Sequence, residues 1–246
     1  MEETAQIIKK DCYIALDLET TGLDPRFDKI IEIGAVRVEN GEVAGRFETF
    51  VNPGRKLEAR VMELTGITDA MLKDAPEIGG VMEAIADFTE GVPILGHNIL
   101  FDYRFLKQAA VNLGMVFERR GIDTLRLCRR FMPGPEKKNL AAACRYYGVE
   151  PEASHRALAD AVSAHLLYQA MKKRCFQEEP EAFLDEALQY RVKREQPATK
   201  KQKEVLRELA KYHKISLTVQ IEGLSRNEAA RITDKIIAQY GKMIKR

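Results

Sequence analysis

The chain lacks any long hydrophobic run. Nothing approaches roughly 18 consecutive apolar residues, so no membrane-spanning helix is expected. The first ten residues, MEETAQIIKK, are charged and lack the apolar centre of a secretion signal. The cysteines are few and scattered. Cys12, Cys128, Cys144 and Cys175 show no CxxC spacing, which argues against a zinc site and against a disulfide framework. These absences together predict reduced thiols in a cytoplasmic protein. No internal repeat is visible. What remains is an ordinary globular composition, 45% apolar and 31% charged, with 246 residues for one filled core and a small addition.

Charge is also missing from the total but not from the parts. The formal net charge is only +2. Residues 191–246 carry 15 Lys/Arg against 6 Asp/Glu, a balance of +9, which leaves 24 against 31, or −7, for residues 1–190. An acidic body that holds cations and a basic tail that holds a polyanion would show this asymmetry. Solvated faces of short helices would show it too.

The first 52 residues predict strands. YIALDLE is a short apolar run, KIIEIGAVRVENGEV holds two strands about the Asn40-Gly41 turn signal, and AGRFETFVNP closes a meander. Beyond Pro53 the pattern predicts a short helix over 57–64, a fuller one over 77–90, a buried strand over 92–98 and a helix over 100–113. IDTLRLCRRF follows, then helices near 138–147 and 155–173. Strands that give way to alternating helices and strands indicate an α/β layer with a mixed sheet. We therefore expect a main domain over 1–175. Residues 176–197 are polar, contain Pro180 and Pro197, and read as a linker with room for one short helix. Residues 198–246 read as a small basic helical module suited to nucleic-acid binding. Thr199 with Gln202, and Ser225 with Glu228, have capping-box spacing. Val205, Leu206, Leu209 and Tyr212 make one stripe, and Ala229, Ile232, Ile236 and Tyr240 the other. ISLTVQIEGL between them is a strand or an extended connector.

Carboxylates stand where a core would exclude them. Asp17 and Glu19 end an apolar strand and, two residues apart, share a face. Two coplanar carboxylates repel unless a cation or proton lies between them; solvated turn acids are the plain alternative. Asp102 falls within the apolar stripe of Phe101, Phe105, Leu106 and Ala109, where an unpaired charge is costly. Metal coordination relieves that cost, and so would a buried salt bridge, for which Arg104 is too near in sequence. In SHRALADAVSAHLLY, Leu158, Val162, His165 and Leu166 form the predicted buried stripe. Asp160 points away from it beside Ala157 and Ala164, which are small enough to admit another element. His155 precedes Asp160 by five residues. His165 reads as a core histidine, His97 as a structural hydrogen-bonder, and His213 carries no signal.

Four carboxylates and one histidine suit phosphodiester hydrolysis. The reaction needs a water deprotonated, charge on the phosphorane oxygens neutralised and the departing 3′ oxygen stabilised. Two divalent ions about 4 Å apart serve both oxygens of an in-line displacement. Hard cations such as Mg²⁺ select carboxylate oxygens, and an imidazole accepts a proton near neutral pH.

The same residues lie in motifs that closely resemble the DnaQ-like (DEDD) 3′–5′ exonucleases. That family includes the proofreading subunit of bacterial DNA polymerase III, ribonuclease T and oligoribonuclease. DLETTGLDP resembles the first motif, Asp-x-Glu-Thr-Thr-Gly, with Asp17 and Glu19. HNILFD resembles the second, His-Asn-x-x-Phe-Asp, with Asp102. HRALAD resembles the third, His-x4-Asp, with His155 and Asp160, and its histidine points to the His-type branch. IDTLRL, with Asp123 and Thr124, also matches, as does GRFETFVNP followed by LTGIT, although Leu64 stands where family members often carry His. The likeness spans about residues 10–173.

The resemblance implies a ribonuclease H-like α/β fold, a mixed sheet flanked by helices. It implies two Mg²⁺ or Mn²⁺ ions held by Asp17, Glu19, Asp102 and Asp160. Asp17 would bridge both ions, Glu19 and Asp160 would complete one site, and Asp102 would support the other mainly through water, with His155 as general base. Thr20, Thr21, Gly22 and Leu23 would lie beside the terminal nucleotide, with Leu23 a wedge against the last base or simply packed under its turn. Asn98 and Phe101 would line the cleft. The implied partner is a single-stranded or frayed 3′ end of DNA, with a DNA polymerase or repair assembly behind it and no membrane. An RNA exonuclease of the ribonuclease T or oligoribonuclease kind fits the motifs equally. A non-catalytic nucleic-acid-binding or assembly subunit working through its tail fits them less, since all five catalytic positions are present. The tail does not resemble the Pro- and Gln-rich tether of a polymerase-bound proofreading subunit. It suggests a small helical module appended to bacterial nucleases.

Overall fold

Strand β1 (Tyr13–Thr20) forms on the first apolar run and becomes the middle of the sheet. Beside it, β2 (Ile30–Glu39) and β3 (Glu42–Phe50) make an antiparallel hairpin. Asn40 and Gly41 close the hairpin at φ 55° and 85°, the left-handed pair that a two-residue type I′ turn requires. On the other side, β4 (Ile94–Gly96) and β5 (Arg120–Asp123) run parallel to β1. The order β3-β2-β1-β4-β5-β6, with antiparallel β6 (Glu186–Ala187) at the edge, makes a mixed sheet, as the strand pattern predicts. The computed structural model describes residues 11–150, 155–192, 194–217 and 219–243; the N-terminal decapeptide read above against a secretion signal lies outside them.

Helices cover both faces. Helix α1 (Ala59–Thr65) and the single turn α2 (Asp69–Leu72) follow β3. A single helix over 77–90 is not formed. Ile78–Gly80 is a 3₁₀ turn, and α3 (Met82–Phe88) begins only after the glycine pair. Helix α4 (Ile99–Asn112) follows β4, and α5 (Thr124–Phe131) follows β5 with the Asp123 carboxylate accepting from the Leu125 and Arg126 N–H groups. Helices α6 (Leu140–Tyr147) and α7 (Ala157–Cys175) complete the layer. Alternation along β1 divides the core: Tyr13 and Ala15 pack with Val36, Leu167, Tyr168 and Met171 under α7, while Ile14, Leu16 and Leu18 pack with Ile85, Tyr103 and Leu106 under α3 and α4.

Two sequence expectations about burial need correcting. The stripe of α7 is not Leu158, Val162, His165 and Leu166: Leu158 is half-buried and Leu166 is 39% exposed. Ala157, Ala161, Ala164 and Tyr168 are buried instead, together with Val162, His165, Leu167 and Met171. The helix is covered on several sides, so no single stripe marks its core face. In the module, Tyr212 and Tyr240 are 48% and 46% exposed and stand on either side of the His213 ring instead of closing the two stripes.

The segment 176–197 lies along the main domain. Phe183, in a 3₁₀ turn, is buried in the α7 core, β6 pairs with β5, and Leu188 and Tyr190 pack on the α4 core. Both capping boxes of the basic module are formed, on α8 (Lys200–His213) and α9 (Arg226–Tyr240). Between these helices lie a 3₁₀ turn at Ile221–Gly223 and a bridge from Val219 to Arg55. Lys29 pairs with Glu228 at 2.9 Å, and the Arg231 guanidinium lies 4.7 Å from the Phe27 ring centroid, so α9 braces the loop after β1.

Candidate active site

The register of β1 places the first two acids. Tyr13, Ala15, Asp17 and Glu19 share the face turned toward α7, and the acids occupy the end where the strand leaves the core. Across the ladder they oppose Gly34 and Glu32 of β2. A Cβ at Gly34 would come within 2.0 Å of the Leu158 N and 2.2 Å of the Ala157 carbonyl carbon. Only a hydrogen there lets the first turn of α7 settle on the sheet.

Asp102 comes from the first turn of α4 and is 4% exposed, inside the apolar stripe as its periodicity requires. Its Oδ1 accepts the Leu18 N–H at 3.1 Å, which ties the helix to β1 between Asp17 and Glu19. The turn that starts α4 is held from β5. Asn98 is left-handed at φ 77°, and its N–H donates to Asp123 Oδ1 at 2.9 Å. His97 is a structural hydrogen-bonder, with Nδ1 2.9 Å from Thr124 Oγ1 and Nε2 2.7 Å from the Lys138 carbonyl. His165 is buried and bonded to the Tyr13 hydroxyl at 2.8 Å, as expected of a core histidine.

Asp160 lies in the first turn of α7, and the exposed His155 precedes the helix in a left-handed conformation, φ 67°. The His155 N–H donates to Asp160 Oδ2 at 3.1 Å, so the chain folds back to set imidazole and carboxylate together. Donor atoms of Glu19, His155 and Asp160 all lie within 4.8 Å of one another, a candidate metal-binding triad. Sequence reasoning missed two neighbours. Glu32, 0% exposed, accepts from Arg156 Nε and Nη2 at 3.0 and 2.7 Å and from the Ala157 N–H at 3.0 Å. The available signal was an acid in the middle of the apolar run KIIEIGAV.

The electrostatics fit a divalent cation. Burial pushes the Asp17 carboxyl well above the usual range, and Asp102, Asp160 and Glu19 add to it. Burial likewise raises Asp102, against the hydrogen bonds it accepts. Glu19 is raised from 4.5 to about 7, first by burial and then by Asp160 and Glu32, with Arg156 opposing. Asp160 is raised by burial, with the His155 N–H opposing. Among the described residues no Lys or Arg forms an ion pair with any of these four acids. Carboxylates gathered in this way beside an imidazole suit a divalent cation, which would relieve their mutual repulsion. The thiols of Cys128 and Cys144 are buried and pushed up to about 12 and 11, so they stay protonated.

The residues expected beside a nucleotide fall on the loop after β1 and the start of α4. Thr20 Oγ1 donates to the Gly22 carbonyl at 2.7 Å, and Thr21 Oγ1 accepts from Arg55 Nη2 at 2.6 Å and from the Lys29 N–H at 3.0 Å. Gly22 passes so near Asp28 that a Cβ would meet its carboxyl at 2.5 Å. Leu23 is 81% exposed, which removes the alternative that it packs under its turn. Asn98 is exposed, and Phe101 is half-buried with its ring 5.0 Å from Phe105. Arg55, which pins Thr21 and the Phe27 carbonyl, was not singled out from sequence.

Against known families, the model RNase_T, an exonuclease family, matches residues 14–168. The chain belongs to this exonuclease family. It carries a His-type DEDD 3′–5′ exonuclease domain related to those of PolC-type polymerases. Over 173 residues the chain is 39% identical to the DNA polymerase III PolC-type of Bacillus subtilis (strain 168), covering 68% of this chain and 12% of that protein. Over 155 residues it is 40% identical to the PolC-type polymerase of Staphylococcus aureus, covering 63% of this chain and 11% of that protein. The chain thus spans about an eighth of the length of these relatives. Among solved structures, E. coli Exonuclease I in complex with a dT13 oligonucleotide superposes with a TM-score of 0.60 at 18% identity, over 68% of this chain and 42% of that one; this likeness is one of fold. Exonuclease X in complex with 5′ overhanging duplex DNA gives 0.52 at 26% identity, over 66% of this chain and 92% of that one. No helix among the described residues is long and apolar enough to cross a membrane.

Proposed function

We propose that the exonuclease releases nucleoside 5′-monophosphates from the 3′ ends of DNA by two-metal-ion hydrolysis. The convergence of Asp17, Glu19, Asp102, Asp160 and His155 at one end of β1 carries this reading. Divalent ions held by the four carboxylates would neutralise the phosphate and acidify the attacking water. Asp17, Glu19, Asp102 and Asp160 would hold the ions, with Glu19 and Asp160 beside His155 in one candidate metal triad. His155, exposed beside them, accepts the proton of the attacking water. Leu23 stands free to wedge against the last base, on a loop that Thr20, Thr21, Gly22 and Arg55 hold in place. Asn98 and Phe101 line the opposite side.

DNA is the proposed substrate because the relatives named above are DNA polymerases and the similar Exonuclease X is seen in complex with DNA. The likeness to PolC-type proteins supports work beside a DNA polymerase or repair assembly. A cavity of about 640 Å³ lies between the main domain and the module, with Thr21, Phe27 and Lys56 on one side and Arg231, Lys235 and Tyr240 on the other. It supports a role for residues 198–246 in holding the strand through phosphate contacts.

The test is digestion of matched 5′-labelled DNA and RNA single strands with Mn²⁺. A stepwise DNA ladder that disappears with Asp17→Ala is expected. No ladder on either strand, or a ladder that survives the substitution, refutes the mechanism, and faster RNA digestion transfers the enzyme to the RNA class.

A further inference from the structure

We propose that Glu32 and Arg156 form a clamp that positions the His155–Asp160 half of the active site against the Asp17–Glu19 half. The proposal rests on the catalytic reading above but concerns two residues that touch neither substrate nor ion in it.

The two halves come from distant parts of the chain. Asp17 and Glu19 belong to the central strand, whereas His155 and Asp160 belong to the entry of α7. Something must fix that entry. His155 is left-handed, and Arg156, the N-cap residue of α7, makes no side-chain cap of its own helix. The cap is supplied from β2: Glu32 Oε2 accepts the Ala157 N–H, the first of the unpaired amides at the helix start. The other oxygen, Oε1, accepts two bonds from the Arg156 guanidinium, at 3.0 and 2.7 Å. One carboxylate therefore holds both the backbone and the side chain of consecutive residues directly after His155.

The guanidinium is held from β3 as well. It lies 3.7 Å from Glu48 and 5.3 Å from the Phe50 ring centroid, and in the ladder Glu48 and Phe50 oppose Gly34 and Glu32. Arg156 thus spans two strands, a contact that suits the planar fork of arginine and not the point charge of lysine. Gly34 supplies the remaining constraint, because α7 rests where a side chain would otherwise stand. Glu32 opposes Glu19 and Gly34 opposes Asp17, so the positions on β2 that fix the helix are those facing the two acids on β1. A shift of the clamp moves His155 and Asp160 relative to Glu19, and a metal site tolerates little of that.

The test uses the full chain with Glu32→Gln, Arg156→Lys, and the double variant Glu32→Gln/Arg156→Met, which leaves no unpaired buried charge. Unfolding curves establish which variants fold. Mn²⁺ affinity is read from the metal-induced rise in melting temperature, apart from activity, and kcat and KM are read on a short labelled strand. For Glu32→Gln we expect kcat to fall about 10- to 100-fold and Mn²⁺ to bind about 10-fold more weakly, with KM changed less than about twofold. Arg156→Lys should recover part of the loss. Should Glu32→Gln fail to fold, the double variant decides by the same criteria. A folded variant with parental kcat and parental Mn²⁺ affinity overturns the proposal, as does a loss confined to KM. Failure of the catalytic reading is distinguishable, because the parent protein would then be inactive in the same assay.

Discussion

Glu19→Gln should make the metal-free protein more stable at pH 8 while destroying its activity. Glu19 is raised from its ordinary 4.5 to about 7 in the fold, so the folded state favours the protonated acid. Its contribution to stability is complete below pH 4.5 and is lost as the pH climbs through about 7. At one pH unit per 1.36 kcal/mol, the ionised side chain costs at most about 3 kcal/mol above that window. Glu19 is only partly buried and solvent screens it, so about 1–2 kcal/mol is the figure to test. For a chain of this length that corresponds to roughly 2–8 °C in melting temperature. Asp17, Asp102 and Asp160 shift in the same direction, so they add to the stability that the parent protein loses in EDTA as the pH rises from 5 to 8 through the Glu19 value.

The assay is thermal unfolding of parent and variant in EDTA across that range, repeated at pH 8 with Mn²⁺. The variant should gain on the parent only as the pH rises. Mn²⁺ should raise the parent's melting temperature strongly and the variant's less, since the cation removes the same repulsion that the amide removes. Identical melting temperatures at pH 8 in EDTA, or an advantage that is the same at pH 5 and pH 8, would refute the claim that these carboxylates are gathered for a cation.

Two further outcomes follow from the proposed roles. His155→Asn, at an exposed left-handed position that asparagine also adopts, should leave the unfolding curve nearly unchanged and lower kcat about 10²- to 10⁴-fold; a fall under about tenfold would remove His155 as the base. Reversing Arg231 and Lys235 to Glu should raise KM for a DNA strand and flatten its dependence on salt concentration; an unaltered salt slope would remove α9 from the strand's path.

Much of the fold was legible because its signals are local. The apolar runs in YIALDLE and KIIEIGAV, the Asn40-Gly41 turn and the two capping boxes all depend on neighbours within a few residues, and each formed as expected. Asp102 was legible for the same reason, since an acid on an apolar helical face is visible in a single turn. The face of α7 was not. A helix enclosed by the sheet, α5 and α6 carries apolar residues around much of its circumference, so its period says nothing about which side meets the strands. The segment 176–197 looked like a linker because its attachment uses isolated residues, Phe183, Leu188 and Tyr190, with no period to betray them. Arg55 and Arg156 were illegible in a stricter sense. Their partners lie on other elements, and nothing in a chain rich in arginine distinguishes one that pins a loop from one that meets solvent.

Glu32 belongs between these cases. A single acid in KIIEIGAVRV could have been a strand residue on a solvated face, but its flanking residues Ile31 and Ile33 are also buried, so that strand has no solvated face at that point. A fully buried acid must find a cation or several donors, and in this molecule it finds Arg156 and a helix amide. The consequence is a division of labour along one ladder. Among the described residues the acids Asp17 and Glu19 on β1 form no ion pair with a Lys or Arg, while the acid facing Glu19 on β2 is bonded to Arg156 and a helix amide. Identical chemistry on neighbouring strands thus serves two ends: an unpaired carboxylate is available to a metal ion, and a paired one is available only to the helix it holds.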